Sequence, residues 1–165
     1  MSHEITRKPT RFGTAVALTF AFVSVLSTAA ASTLGAGAAF AGLLALAVGL
    51  TVASQRVIGV GGTLLLVGVL AGGYTGAPPE PLLVSALTGV LAFDAATNTL
   101  SIGTQLGRES STMGAELVHS AASLGFGATA TVLGYGVFAA AGGGQPLAAL
   151  LLLAGGAVAL VTGLR

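Results

Sequence analysis

The chain has 165 residues, 54% of them hydrophobic and 7% charged, with a net charge of +1 and a mean hydropathy of +0.96. A soluble domain carries about 25% charged residues, so this composition excludes a water-facing surface, and the near-neutral balance excludes a basic field for nucleic acid. The absence of Cys excludes disulfides, thiolate metal sites and cysteine nucleophiles. What remains is an all-α polytopic membrane bundle, in which hydrocarbon is the solvent and every backbone polar group is satisfied inside a helix.

A basic tail, residues 1–11 with Arg7, Lys8 and Arg11, precedes a single bundle over residues 12–165. A crossing helix needs about 20 residues, and the apolar runs predict six. The first is Phe12 to Ser32 and the second Leu34 to Ala53, with a break near Thr33-Leu34-Gly35. The first run, ending on Ala29 to Ala31, also has the outline of a secretory signal, but it exceeds the usual core of about 7–15 residues. The third is Val57 to Ala77, stopped by Pro78-Pro79-Glu80-Pro81, because proline removes a donor and biases its predecessor away from helix. The fourth is Leu82 to Ile102, the fifth Leu117 to Ala141 and the sixth Leu147 to Leu164. Ser110, Ser111 and Thr112 are cap candidates for the fifth, with Glu116 near its first turn.

Six crossings bring Arg56, Arg108 and Arg165 back to the side of the N-terminal Arg7, Lys8 and Arg11. Lys and Arg near span ends are retained in the cytoplasm, so the expected topology in the cell membrane is N-in and C-in. Tyr74 falls at the outer interface, where amphipathic rings settle.

The fourth run carries the chemistry. Asp94 lies well inside it, and an acid at a helix centre costs roughly 2.5–3.5 kcal/mol on insertion scales. At about 100° per residue, Asp94, Asn98, Ser101, Gln105 and Arg108 fall in an arc of roughly 80°, which extends the helix toward Arg108. The fifth run offers Glu116, Ser120, Ser123, Gly127 and Thr131 on one side, with His119 at its edge. An antiparallel hairpin then pairs Arg108 with Glu116, Gln105 with His119 and Ser101 with Ser123, sets Asn98 against Gly125 to Gly127, and brings Asp94 near Thr129 or Thr131. Asp94 has no second intramembrane acid or cation in this pairing, and His119 sits by the interface as a bystander.

Gly68, Gly72 and Gly76, four apart, form a small-residue packing face. Gly59-Val60-Gly61-Gly62 lacks the lysine and hydroxyl of a phosphate loop. His3 and His119 are isolated, so neither a metal nor a cofactor is expected. No nucleophile sits beside a base, and no enzyme activity is expected.

The stretch Leu91 to Ser123 resembles an uncharacterised family of small multi-span membrane proteins from halophilic archaea. The residues that carry the likeness are Asp94, Asn98, the run Gln105-Leu106-Gly107-Arg108-Glu109, and Glu116 with His119. It covers about a fifth of the chain, 33 of 165 residues. The resemblance implies no activity; it implies association with ATPases of the MoxR type and their membrane partners. The expected role is a non-enzymatic structural or accessory membrane protein, in contact with lipid and docking a partner through the loop between helices 4 and 5. The alternative is a small permease or channel subunit with a midplane site at Asp94 and Asn98.

Overall fold

Five helices follow one another: α1 (Arg11–Ala31), α2 (Thr33–Thr51), α3 (Gln55–Tyr74), α4 (Pro79–Leu106) and α5 (Met113–Ala140). The computed structural model describes residues 8–107 and 112–140, and among these there is no strand. All five helices are long and apolar enough to cross a membrane. The expected sixth span and Arg108 lie outside the described residues. The chain divides into Met1–Ala128, which holds α1 to α4 and the first part of α5, and Thr129–Arg165, which holds the remainder of α5. In that second unit Tyr135 and Phe138, neighbours on one helix face, stack with ring centroids 6.3 Å apart.

Each helix boundary has a local cause. The α1–α2 break is the single residue Ser32, extended at φ −154° and ψ 125°, whose hydroxyl accepts from the Gly35 N–H at 3.2 Å. It falls just before the expected break because a serine side chain can satisfy an orphan amide of the next helix. At the end of α2, Ala53 takes φ 54° and the Ser54 N–H returns to the Gly49 carbonyl at 2.9 Å. The end of α3 repeats this closure with Gly76 at φ 74°, and the Ala77 N–H reaching the Gly72 carbonyl at 3.2 Å. Both are the six-to-one closure that favours glycine in the left-handed position. Gly76 is therefore a turn residue with open space around it, which corrects its assignment to a packing face and ends α3 at Tyr74. Of the run Pro78 to Pro81 only Pro78, the cap residue, stands outside the next helix. Pro79 is its first residue, and in the first turn a missing N–H costs no hydrogen bond.

The body is a closed ring in which α1 lies against α2 and α4, and α3 against α2 and α4. The α2–α3 seam repeats every seven residues. Gly35, Gly42 and Gly49 alternate with Ala39 and Leu46 on α2, facing Ile58, Gly61, Leu65, Gly68 and Gly72 on α3, and all are buried. A side chain at Gly42 would meet the Leu65 amide at 2.7 Å and the Gly61 carbonyl at 2.9 Å, and one at Gly61 the Leu46 amide at 2.7 Å. Backbone thus lies on backbone, which only small residues permit. Meanwhile Phe22, Phe40, Leu44, Leu70 and Val90 face outward, each more than half exposed. That surface suits hydrocarbon and would be costly in water.

Candidate functional site

Helix α1 gives a depth scale. It runs antiparallel to α4, with Ser24 and Thr28 bonded to Ser85, Gly13 against Thr99, and Lys8 and Pro9 against Gly103. The 21 residues of α1 span about 32 Å, close to the roughly 30 Å of a hydrocarbon core. They lie beside about 80–100 of α4, so the stretch Ser101 to Leu106 overhangs the Arg11 level by about 9 Å. Asp94 lies near the level of Ala17, about 9 Å inside the Arg11 level and about 6 Å from the centre of α1. The site thus lies off the centre of α1, toward the end that carries Arg11.

The expected polar ribbon separates into two parts on this scale. Ser101 and Gln105 belong to the overhang; both are exposed, and Gln105 Nε2 donates to Ser101 Oγ at 2.8 Å. Asp94 and Asn98 remain at apolar depth, each half-buried. Asp94 Oδ2 lies 2.9 Å from His119 Nε2 and accepts a hydrogen bond from Ser123 Oγ at 2.9 Å. This corrects the expected pairing, which gave His119 to Gln105, Ser123 to Ser101, and Thr129 or Thr131 to Asp94. The contact set for Asn98 against Gly125 to Gly127 likewise belongs to the abandoned register. His119 is not a bystander; it is the intramembrane partner that Asp94 lacked on paper.

The register differs because the two helix ends are not level. Helix α5 begins beside Thr99, well short of the end of α4, and Glu116 holds it there. The Glu116 carboxylate is 2% exposed. Its Oε2 accepts from Thr10 Oγ1 at 2.6 Å and its Oε1 from Thr112 Oγ1 at 2.6 Å. Thr10 Oγ1 in turn lies 2.6 Å from Thr99 Oγ1, and the Thr99 hydroxyl accepts from the Thr10 N–H at 3.0 Å. One hydroxyl has one proton to give, so the donors line up as Thr99 to Thr10 to Glu116. Gly13 makes room: a Cβ there would collide with Glu116 Oε2 and would sit 2.6 Å from the Thr99 side chain. Arg108, the expected partner of Glu116, lies outside the described residues.

These polar ties join the start of α5 to α1 and α4. Within the first unit, Gly127 of α5 comes close to the Leu87 side chain of α4, which a Cβ at position 127 would meet at 2.6 Å. Apart from Glu116 none of its residues is buried. The Asp94 and His119 side chains are 38% and 41% exposed. Both hydrogen bonds of the Asp94 carboxylate, to His119 and Ser123, fall on Oδ2. Among the described residues neither Oδ1 nor the Asn98 carboxamide makes a side-chain hydrogen bond.

The grouping of Asp, His and Ser is not a nucleophilic relay, since His119 and Ser123 both address the carboxylate and not each other. Among the described residues no three His, Cys, Asp or Glu side chains converge. A second buried knot, Ser24 and Thr28 with Ser85, ties α1 to α4, with Thr28 Oγ1 and Ser85 Oγ 2.5 Å apart. It was missed by sequence reasoning, although hydroxyls four apart in an apolar run were a usable signal.

A family model described as "Family of unknown function (DUF7519)" matches residues 7–161, nearly the whole chain. No curated protein matches the chain, and no solved structure does.

Proposed function

We propose that this chain, which belongs to the DUF7519 family of unknown function, is a non-enzymatic accessory protein of the cell membrane that works by holding another protein. The single observation behind this reading is the attachment of α5. A closed four-helix ring holds the start of a fifth apolar helix through the side chains of Glu116, His119 and Ser123, and the end of α4 beyond the Arg11 level is exposed. A helix held this way adds little to the ring and much to the surface presented to a neighbour. The finer topology belongs to the same proposal: six crossings, with both termini and the α4–α5 connection in the cytoplasm. The likeness to small multi-span proteins of halophilic archaea makes a MoxR-type ATPase system the first partner to test.

The test is crosslinking from the exposed overhang. A photoreactive side chain at Thr104 or Gln105 should give one protein adduct of defined mass in native membranes, and the same adduct should be absent with the group at Val60 on the apolar flank. Adducts to lipid alone would end the docking reading.

A second reading, a small permease or channel subunit, is favoured by the half-exposed Asp94–His119 pair. It requires solute or proton flux in vesicles that Asp94→Asn abolishes. Absence of flux from the unmodified protein removes it.

A further inference from the structure

The Asp94 face has three properties that conflict with lipid as its neighbour. It lies about 9 Å inside the level of Arg11. Its carboxylate is 38% exposed. One carboxylate oxygen, and the Asn98 amide one turn away, make no hydrogen bond among the described residues. Polar groups at such depth face protein or a water-filled cavity and pair with one another, because hydrocarbon offers no substitute.

Among the described residues, this face receives a histidine and no stronger cation. The six Lys and Arg of the chain are Arg7, Lys8, Arg11, Arg56, Arg108 and Arg165, all outside the apolar runs. In the described structure Lys8 lies beside Gly103 on the overhang, and Arg11 and Arg56 stand exposed at helix starts. A second copy would bring the same sequence, with every Lys and Arg outside the apolar runs, so pairing of copies places carboxylate near carboxylate. Charge complementarity therefore selects a different protein.

We infer that the open face of α4 and α5 around Asp94 and Asn98 is an intramembrane docking surface for a transmembrane helix of another protein, one that carries a Lys or Arg at the depth of Asp94. The incoming cation meets Asp94 Oδ1, while His119 and Ser123 hold Oδ2 and fix the carboxylate's orientation. Asn98, nearer the polar end, adds a hydrogen bond to the side chain or flank of the same helix. This deepens the accessory reading by naming the partner's chemistry, and it makes contact inside the membrane, apart from the overhang.

The probe is a synthetic apolar helix of Leu and Ala with one central-half Lys, labelled for energy transfer to the full chain in phosphatidylcholine vesicles. Three companion peptides carry Leu at that position, Asp at that position, or the Lys moved two turns toward the opposite membrane face. The Lys peptide should associate about tenfold or more tightly than the Leu peptide, a ratio of about 1.4 kcal/mol. The shifted Lys and the Asp peptide should show no such gain. Asp94→Asn should remove most of the advantage, and Asp94→Lys should transfer it to the Asp peptide. Because the peptide series needs no change in the protein, a misfolded variant does not blunt it. Equal binding of the Lys and Leu peptides would overturn the inference. So would self-association of the unmodified chain that Asp94→Asn abolishes, since it would assign the face to a second copy. Crosslinking at Thr104 or Gln105 can succeed whatever the peptides do, so failure of this inference is distinct from failure of the docking reading.

Discussion

Replacing Gly42 and Gly37 by alanine, both on α2, should move stability in opposite directions. A Cβ at Gly37 finds nothing within 4 Å, whereas one at Gly42 meets the Leu65 amide at 2.7 Å, the Gly61 carbonyl at 2.9 Å and Leu64 backbone at 3.1 Å. Those neighbours are backbone of α3 and cannot rotate aside. Ordinary carbon contacts begin near 3.5 Å, so α2 and α3 must part by several tenths of an ångström along a seam that repeats at Gly35 and Gly49. Helix propensity favours alanine over glycine by about 0.8–1 kcal/mol at either site, so that gain cancels in the comparison. Overpacking at Gly42 costs about 1–3 kcal/mol, which is the expected gap between the two variants. Helix α3 provides an independent pair, with Gly59 open and Gly61 set 2.7 Å from the Leu46 amide. Reversible unfolding in mixed micelles, followed by helix circular dichroism, reads the difference. If Gly42→Ala and Gly37→Ala agree within about 0.5 kcal/mol, backbone-to-backbone packing of α2 on α3 is refuted.

The two left-handed closures should respond with opposite signs: Ala53→Gly should stabilise and Gly76→Ala destabilise, each by about 1 kcal/mol, in the same unfolding assay. Thr10→Val removes a donor to buried Glu116 and should cost about 1–2 kcal/mol. It should also raise labelling of a cysteine placed at Leu117. Ser85→Ala should cost under about 1 kcal/mol, because Thr28 still donates to the Ser24 carbonyl and Ser24 to the residue 85 carbonyl, and membrane hydrogen bonds average about 0.6 kcal/mol.

Much of the fold was readable from the chain. Hydrophobic runs bounded by Gln55-Arg56 and by Pro78 to Pro81 set α3 and α4 to within a few residues, because charge and proline act locally. Asp94 stood out for the same reason, as a lone acid where acids are costly. The α2–α3 seam was less visible. Its glycines recur at seven, but 26 glycines make every spacing plentiful, and only the facing helix decides which ones meet backbone. Gly76 shows the converse: its spacing from Gly68 and Gly72 was suggestive, yet the chain needed a left-handed turn there.

The partner of Asp94 was hidden by an assumption about ends. Level helices place Asp94 opposite Thr129 or Thr131, whereas the structure pairs it with His119 and Ser123. What decides the level is Glu116, and its depth is set by Thr10, more than a hundred residues earlier in the chain. A carboxylate that gains the Thr10 hydroxyl as a donor at the start of α1, beside its own Thr112, is better placed there than level with the end of α4, where closing a straight hairpin would leave Thr10 and Thr99 to pair without it. The shift carries His119 inward from the expected interface to the level of Asp94. Burial of Glu116 and exposure of Asp94 are thus one event. The contact that anchors the fifth helix also creates the open polar face on which a partner's cation is expected to dock.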